Sequence, residues 1–247
     1  MNKTAIVLQA RLDSSRLPGK SILPLGGRPL VLRVMQALNR VPADIRVLAC
    51  PEDSVAAFEP LAVEAGFEIF AGPKNDVLKR YCLAIGRFKP EQVIRATADN
   101  PFVFADAAAD ISSQAFSLGV DYAGYAGLPP GAGVEAVSAQ ALLQADAEAK
   151  ALPEREHVCP YLYGNPQVFR LHRCLAPRKW QGDDIRITVD TQEDYRRAQL
   201  LYDALDRLEK SGELFDGERY KGKTIIDTYL KVFRQADARK SDAWEPA

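Results

Sequence analysis

Three cationic residues and several small polar residues share the segment Gln9–Lys20, directly after a short apolar run. Two of the cations are arginines, which donate forked hydrogen bonds to phosphate oxygens, and the third is a lysine, which supplies a compact positive charge. The residues that could contact phosphate through side chains or backbone amide groups are Arg11, Ser14, Arg16, Gly19 and Lys20. The segment lacks the Walker A spacing. Its composition predicts a cradle for a triphosphate, with a solvent-exposed basic loop as the alternative.

Two aspartates follow apolar runs further along the chain, Asp99 and Asp190. The pair Asn100–Pro101 turns the chain after Asp99 and points its carboxylate towards the cleft. Mg²⁺ is commonly bound by one or two carboxylates together with substrate phosphates, so Asp99 is a candidate metal ligand, with turn capping as an equally good alternative. Asp190 directly precedes a predicted helix. Because Asp is a common helix N-cap, the pattern on its own favours capping over metal binding at Asp190.

Histidines and cysteines are few and scattered. His157 lies in the segment 155–161 and is one of only two histidines, and a lone histidine is more often structural than catalytic. The spacing of these residues does not match a zinc site. The four cysteines form no C-x-x-C pair, so we expect reduced thiols.

Short apolar runs alternate with longer amphipathic segments, and this alternation predicts the elements that hold these residues. The predicted strands are 4–8, 45–49, 67–70, 92–95, one near 122, 168–171 and 185–189. The predicted helices are 29–39, 53–65, 75–86, 106–117, 138–150 and 191–209, the last with a Thr-x-x-Asp capping pattern. The rhythm indicates an α/β fold with a mostly parallel sheet flanked by helices. In such sheets ligands bind beyond the carboxyl ends of the strands, where Gln9–Lys20 falls.

Length and composition predict one domain over residues 1–235, with an irregular insertion near 128–163 and a polar tail at 236–247. The formal net charge of −1 supplies no basic field that would attract nucleic acid or anionic lipid. No segment approaches the roughly 20 apolar residues that cross a bilayer, and the N-terminus does not match a signal peptide. We therefore expect a cytoplasmic protein without nucleic-acid or membrane partners.

Taken together, the motifs resemble those of the cytidylyltransferases that make CMP-activated sugars. The resemblance points to the branch of spore-coat polysaccharide biosynthesis, which is related to the CMP-Kdo and CMP-sialic acid synthetases. It runs over roughly residues 4–205. The matching motifs are QARLDSSRLPGKSILPLGGRPL at 9–30, GPKNDVLKRY at 72–81, R-x-T-x-D-x-P at 95–101, VE at 134–135, REHV-x-PY at 155–161 and TVDT-x-ED at 188–194.

The resemblance implies a Rossmann-like nucleotidyltransferase fold of the GT-A type, CTP and Mg²⁺ as ligands, and a homodimer. It implies catalytic roles for Arg11, Lys20 and Asp99, and nucleotide contacts from Ala10, Arg11, Ser14, Arg16, Gly19, Lys20, Asp76 and Arg80. It implies Mg²⁺ ligation by Asp99 and Asp190, which reverses the preference for capping at Asp190, and acceptor contacts from Glu135, Arg155 and His157. The branch usually has an acidic residue where this chain has Gly133, so the resemblance leaves the acceptor open.

The expected reaction is Mg²⁺-dependent transfer of CMP from CTP to a sugar, a sugar acid, or a phosphorylated or phosphonate acceptor, with release of pyrophosphate for surface polysaccharide synthesis. One alternative is a GT-A-type glycosyltransferase, which would usually carry a D-x-D metal motif; Asp183–Asp184 matches it only loosely. The other alternative is a non-catalytic nucleotide-binding subunit, although binding alone needs fewer charged groups than Lys20, Asp99 and Asp190 supply.

Overall fold

The computed structural model of the chain describes residues 3–182 and 184–241. Its strands are β1 Thr4–Gln9, β2 Pro24–Leu25, β3 Arg28–Pro29, β4 Ile45–Pro51, β5 Glu68–Gly72, β6 Gln92–Thr97, β7 Tyr122–Ala126, β8 Glu135–Ser138 and β9 Leu171–Leu175. Its α-helices are α1 Leu30–Leu38, α2 Val55–Ala65, α3 Val77–Phe88, α4 Ala105–Leu118, α5 Ala139–Glu148, α6 Leu152–His157, α7 Pro160–Gly164, α8 Gln192–Lys210 and α9 Gly222–Ser241.

Seven strands form one sheet in the order β5-β4-β1-β6-β8-β7-β9. Strand β8 runs antiparallel to both of its neighbours, and the other strand pairs of this sheet are parallel. The remaining two strands, β2 and β3, form a short antiparallel hairpin. The prediction of a mostly parallel sheet flanked by helices is therefore confirmed.

The apolar run in β1 is buried on both faces of the sheet, as expected for a central parallel strand. Because side chains alternate along a strand, Ile6 and Leu8 pack into the core with α1, α2, α4, α8 and α9. Ala5 and Val7 pack into the second core with α3, α5 and α7. These two cores fix the sheet between its helices and leave the carboxyl ends of β1 and β6 open for a site. Among the described helices, none combines the length and the hydrophobicity of a membrane-spanning segment.

The structure corrects two predicted strands. Residues 185–189 form an extended loop, because the Thr188 and Val189 backbone amides donate to the Pro130 and Asp99 carbonyl oxygens at 3.0 and 2.8 Å rather than to a neighbouring strand. The strand predicted at 168–171 begins only at Leu171, and residues 166–168 form a turn.

Several elements were not predicted from the sequence, namely β2, β3, β8, α6, α7 and α9. Helix α9 continues to Ser241, so the predicted polar tail begins within it, and residues 242–247 lie outside the described residues. Asp183, the first residue of the loose D-x-D match, also lies outside them.

Candidate active site

A cavity of about 290 Å³ opens at the carboxyl ends of β1 and β6, bounded by the loop after β1 and by α3 and α6. Polar and charged side chains dominate its wall. Most of the site residues predicted from the sequence line it, namely Ala10, Arg11, Ser14, Arg16, Lys20, Arg80, Asp99, His157 and Asp190. The structure therefore brings together segments that are far apart along the chain.

The loop after β1 is held in shape by its own backbone. Gly19 has a φ of +66°, a left-handed conformation that glycine adopts without steric cost, and its amide donates to the Leu12 carbonyl at 3.2 Å. The Ser21 hydroxyl donates to the Arg11 carbonyl at 3.1 Å. Gly19 does not line the cavity, but its turn places Lys20 in the wall.

Lys20 lies between the two predicted metal ligands. Its Nζ donates to Asp99 Oδ2 at 2.8 Å, to Asp190 Oδ1 at 3.0 Å and to the Val189 carbonyl at 3.1 Å, and its side chain is only 14% exposed. One ammonium group therefore joins the loop after β1, the end of β6 and the loop before α8.

Asp190 is surrounded by cations. Besides Lys20, it pairs with Arg16 at 3.1 Å and with Arg186 at 2.8 Å. Burial favours the protonated carboxyl, but hydrogen bonding to Lys20 and the charges of these three cations outweigh it and lower the pKa of Asp190. The carboxylate is therefore held ionised in the cavity wall.

The structure also corrects the capping role that the residue pattern alone favoured for Asp190. Thr191 is the N-cap of α8, and its hydroxyl accepts from the Asp194 amide at 3.2 Å. Asp194 completes the capping box by accepting from the Thr191 amide at 3.1 Å. Because Thr191 caps the helix, the Asp190 side chain is free to face the cavity.

Asp99 and Asp190 are the two carboxylates of the cavity wall that could hold a metal. Both carboxylates reach the same ammonium group, so their oxygens lie close together. Within 3–182 and 184–241, no group of three or more His, Cys, Asp or Glu side chains is arranged to hold a metal ion. Two carboxylates match Mg²⁺, which completes its coordination with substrate phosphates and water.

Arg80 and Gln9 line the same cavity, and each has a buried polar atom without a partner among the described residues. Arg80 is 2% exposed, its Nη1 donates to the Pro73 carbonyl at 2.6 Å, and its Nε is buried without a partner in the described part of the chain. Burial lowers the pKa of the Arg80 guanidinium. Gln9 Oε1 is likewise buried without a partner among the described residues. Gln9 was not predicted as a site side chain; a polar residue ending a buried strand is the signal that could have identified it.

Asp76 and Arg155 lie together but do not line the cavity. Asp76 caps α3 by accepting from the Lys79 amide at 2.9 Å, and it pairs with Arg155 at 2.6 Å. Arg155 also pairs with Asp146 of α5 at 2.6 Å. These contacts tie α3, α5 and α6 together beside the cavity, and the predicted ligand contacts of Asp76 and Arg155 remain predictions.

A second cavity of about 330 Å³ adjoins the first, and Arg95 and Thr97 line both. Glu135 lies in its wall, where it pairs with Arg95 and accepts from the Tyr122 hydroxyl at 2.8 Å. Burial opposes the charge of Arg95, but Glu135 more than compensates and raises the Arg95 pKa. Gly133 also lines this cavity. No role for Arg95 and Tyr122 was predicted, although a charged residue within the largely buried strand β6 was a signal.

His157 is positioned by an unusual turn. The next residue, Val158, is fully buried and has φ 73° and ψ −56°, and the Cys159 amide donates to the His157 carbonyl at 2.9 Å. This is a γ-turn of the rarer, strained type, and a positive φ is especially unfavourable for a β-branched residue. Strain of this kind clusters at functional sites.

Comparisons with known proteins identify the family of this chain. The family profile described as "Cytidylyltransferase" matches residues 5–233. The spore coat polysaccharide biosynthesis protein SpsF of Bacillus subtilis is 35% identical over 222 residues, which cover 86% of this chain and 89% of that protein.

Two solved structures share the fold. A cytidylyltransferase from Leptospira borgpetersenii superimposes with a TM-score of 0.81 at 21% identity, with both chains fully covered. A CMP:2-keto-3-deoxy-manno-octonic acid synthetase complexed with CTP superimposes with a TM-score of 0.61 at 16% identity, over 86% of this chain and 100% of that one. At these identities the superpositions establish the fold.

Proposed function

The chain belongs to the cytidylyltransferase family, and from this membership and the geometry of the first cavity we propose that it transfers CMP from CTP to a hydroxyl-bearing acceptor with release of pyrophosphate. The observation that carries the proposal is the meeting of Lys20, Asp99 and Asp190 in one cavity wall. Binding of a nucleotide alone would not require two carboxylates beside a triphosphate.

The cations of the first cavity suit a triphosphate. Arg11, Arg16 and Lys20 would neutralise its oxygens, and the fixed dipoles of the loop after β1 would hold it in place. Phosphoryl transfer requires little covalent participation by the protein. Most of the catalysis therefore comes from positioning the substrates and neutralising their charge. Arg80 and Gln9 line the same cavity, which supports contacts from these two residues to the base or ribose.

The acceptor oxygen would attack the α-phosphorus in line as the bond to the bridging oxygen of the β-phosphate breaks. Arg16 and Lys20, which line the cavity, would neutralise the negative charge that develops on the leaving pyrophosphate. A hydroxyl acceptor must lose its proton, and His157 lines the cavity as a group that can accept it. A phosphate or phosphonate acceptor would not need this step.

Asp99 and Asp190 would hold Mg²⁺, which when bound neutralises phosphate charge and polarises the oxygens of the reacting phosphate. Both carboxylates line the cavity and the neighbouring cations lower the pKa of Asp190, which supports this role. Lys20 would then contact the phosphates from the same side of the cavity.

The second cavity would receive the acceptor, because it adjoins the first and Glu135 lies in its wall. Sugars and sugar acids are the acceptors that the relatives suggest, and the similarity to SpsF supports a role in surface polysaccharide synthesis. A cytoplasmic location fits a CTP-using enzyme. The proposal includes a homodimer, and the exposed Leu143 and Leu152 in the segment 128–163 are the side chains at which we would test it.

The test is pyrophosphate release from CTP, UTP, ATP and GTP with Mg²⁺, across neutral sugars, sugar acids, phosphosugars and aminophosphonates. We expect release from CTP that depends on the acceptor and stops with a chelator. Asp99→Asn should lower kcat/KM by about 100-fold. The control is Asp53→Asn, an exposed aspartate paired with Lys74 outside both cavities, which should leave kcat/KM unchanged. Absence of release with every acceptor would contradict the proposal.

A further inference from the structure

Arg186 contacts the candidate metal ligand Asp190 from behind the first cavity. Its Nη2 donates to Asp190 Oδ2 at 2.8 Å, and Arg186 does not belong to the described lining of either cavity. Lys20 and Arg16, which line the first cavity, both reach the other carboxylate oxygen, Oδ1. The two oxygens of Asp190 therefore have different partners, and Oδ1 is the one that meets the cations of the cavity.

Arg186 is itself held by the N-terminal cap of α8. Its Nε donates to Asp194 Oδ1 at 3.1 Å, and the Asp194 side chain is only 7% exposed. The other oxygen of Asp194 accepts from the amides of Asp190 and Thr191 at 3.2 and 3.1 Å and from the Thr191 hydroxyl at 3.0 Å. Because a guanidinium group is planar and donates in a fixed fork, Arg186 sets the orientation of the Asp190 carboxylate relative to the helix.

The Lys20 ammonium shows how a cation between the two candidate ligands meets them. Its Nζ contacts one oxygen of each carboxylate, Asp99 Oδ2 at 2.8 Å and Asp190 Oδ1 at 3.0 Å. A metal ion that took this position would find one oxygen from each side chain. The hydrogen bond from Arg186 opposes any rotation that would turn the second oxygen of Asp190 towards the same ion.

This arrangement suits Mg²⁺ better than Ca²⁺. Mg²⁺ is small, requires octahedral geometry and keeps several of its waters, so that one oxygen from each carboxylate is sufficient. Ca²⁺ takes about six to eight oxygen ligands and often binds a carboxylate through both oxygens. A carboxylate that can offer only one oxygen therefore removes a contact from Ca²⁺ and none from Mg²⁺.

We propose that Arg186 is a positioning residue that limits Asp190 to one oxygen for the metal and thereby makes the site select Mg²⁺ over Ca²⁺. The inference rests on the proposed function, in which the metal and CTP occupy the first cavity while Lys20 and Arg16 contact the phosphates. Asp99 Oδ1 has no donor among the described residues, because Lys20 contacts Oδ2 alone. The selection against Ca²⁺ therefore depends on Asp190.

The test compares the binding of one nucleotide in the presence of each metal. The nucleotide is α,β-methylene CTP, which cannot release pyrophosphate, and its Kd is measured by calorimetry in saturating Mg²⁺ and in saturating Ca²⁺. The informative quantity is the ratio of the Kd with Ca²⁺ to the Kd with Mg²⁺. For the wild-type protein we expect a ratio of about ten. Equal or tighter binding with Ca²⁺ would overturn the proposal.

Arg186→Met is the diagnostic variant, because it removes the contacts to both Asp190 and Asp194. We expect the ratio to fall to about one, because Asp190 can then turn both oxygens towards Ca²⁺. The loss of one positive charge affects both divalent ions alike and cancels in the ratio. An unchanged ratio in the folded variant would overturn the role of Arg186. If the variant does not fold, the wild-type ratio still decides whether the site selects Mg²⁺.

Arg197→Met is the matched control. Arg197 Nη1 lies 3.7 Å from Asp194 Oδ1, and Arg197 is outside the described lining of both cavities. The control removes a guanidinium group from the same capping carboxylate and leaves the contact from Arg186 to Asp190 in place. Its ratio should equal that of the wild type. An equal fall in both variants would show that loss of charge beside α8 is sufficient, and this would overturn the positioning role.

Pyrophosphate release from CTP with Mg²⁺ separates this proposal from the proposed function. A wild-type protein that binds the nucleotide with neither metal would overturn the proposed function and, with it, the role of Arg186. A wild-type protein that releases pyrophosphate, but whose ratio is the same as that of Arg186→Met, would retain the proposed function and refute the positioning role alone.

Discussion

Lys20→Met should have opposite effects on metal and nucleotide binding. The Lys20 ammonium occupies hydrogen-bonding positions on both Asp99 and Asp190, the carboxylates that we propose as Mg²⁺ ligands. A divalent ion that binds without nucleotide must compete with this ammonium. A triphosphate would draw Lys20 towards its own oxygens and so free the carboxylates. We therefore expect the variant to bind a divalent metal more tightly and CTP more weakly.

The magnitude follows from the contacts that the metal must replace. Lys20 makes charge-assisted hydrogen bonds of 2.8 and 3.0 Å to the two carboxylates, and its side chain is mostly buried. Hydrogen bonds to charged groups are worth about 1.5–3 kcal/mol each. Because Arg16 and Arg186 remain on Asp190, we take a total of about 2 kcal/mol, or roughly a thirtyfold gain in metal affinity. Loss of one phosphate-binding cation should weaken CTP by a similar factor.

Electron paramagnetic resonance of free Mn²⁺ measures metal affinity without nucleotide, and calorimetry measures CTP affinity with Mg²⁺ present. The matched control is Lys79→Met, because Lys79 pairs with Asp146 at 2.9 Å outside both cavities. Neither affinity should change in the control. Reciprocal coupling also requires that CTP raise Mn²⁺ affinity more in the wild type than in Lys20→Met.

The reasoning is refuted if folded Lys20→Met binds Mn²⁺ no more tightly than the wild type. The ammonium would then not compete with the metal, and the two carboxylates would be structural partners of Lys20. Equal loss of both affinities would show that Lys20 organises the cavity rather than competing within it. Thermal unfolding of the variant separates these outcomes from a general loss of structure.

Two further predictions concern stability. Val158→Gly should be more stable than Val158→Ala by about 1 kcal/mol, because glycine tolerates the positive φ of this turn, whereas the buried strand residue Val137 should show the ordinary order with Ala above Gly by about 0.5–1 kcal/mol. Chemical unfolding of the four variants measures both stability differences. If the Ala variant were the more stable one at both positions, the argument for strain at Val158 would be wrong. Burial raises the pKa of Asp146, but Lys79 and Arg155 lower it overall, so its contribution is present above the unfolded pKa of about 3.9 and is lost as pH falls through the folded pKa. Asp146→Asn should therefore lower the free energy of unfolding at neutral pH, and it should have no such effect at a pH far below the unfolded pKa. Unfolding titrations at these two pH values check this, and an equal loss of stability at both would contradict the reasoning.

Local patterns predicted much of the site, because its residues follow buried strands. The loop after β1 and the end of β6 could be placed from apolar runs and turn residues, and both line the first cavity. The role of Asp190 could not be settled this way. Asp190 and Thr191 are both good N-cap residues, and the choice depends on Lys20, which is 170 positions away in sequence. Only the folded chain brings that charge to the helix terminus.

The prediction of a strand at 185–189 was wrong for a related reason. Its alternating apolar residues are typical of a strand, and Ile185, Ile187 and Val189 are indeed buried. Its backbone amides, however, donate to isolated carbonyl groups in loops, such as the Asp99 carbonyl, and not to a neighbouring strand. Periodicity reports burial and extension but not the identity of hydrogen-bond partners. The bond from the Val189 amide to the Asp99 carbonyl nevertheless holds the two candidate metal ligands together.

Strand β6 connects the two halves of the proposed reaction. Arg95 and Thr97 lie on one face because side chains alternate along a strand, and both line the two cavities, while Asp99 follows two residues later at the first cavity. The pairing of Thr97 with Gln9 of β1 sets this register. A shift of one residue would turn Arg95 away from Glu135 and towards the opposite core. The position of the acceptor relative to the α-phosphate therefore depends on the pairing of β1 with β6, which the apolar residues on both faces of the sheet hold in place.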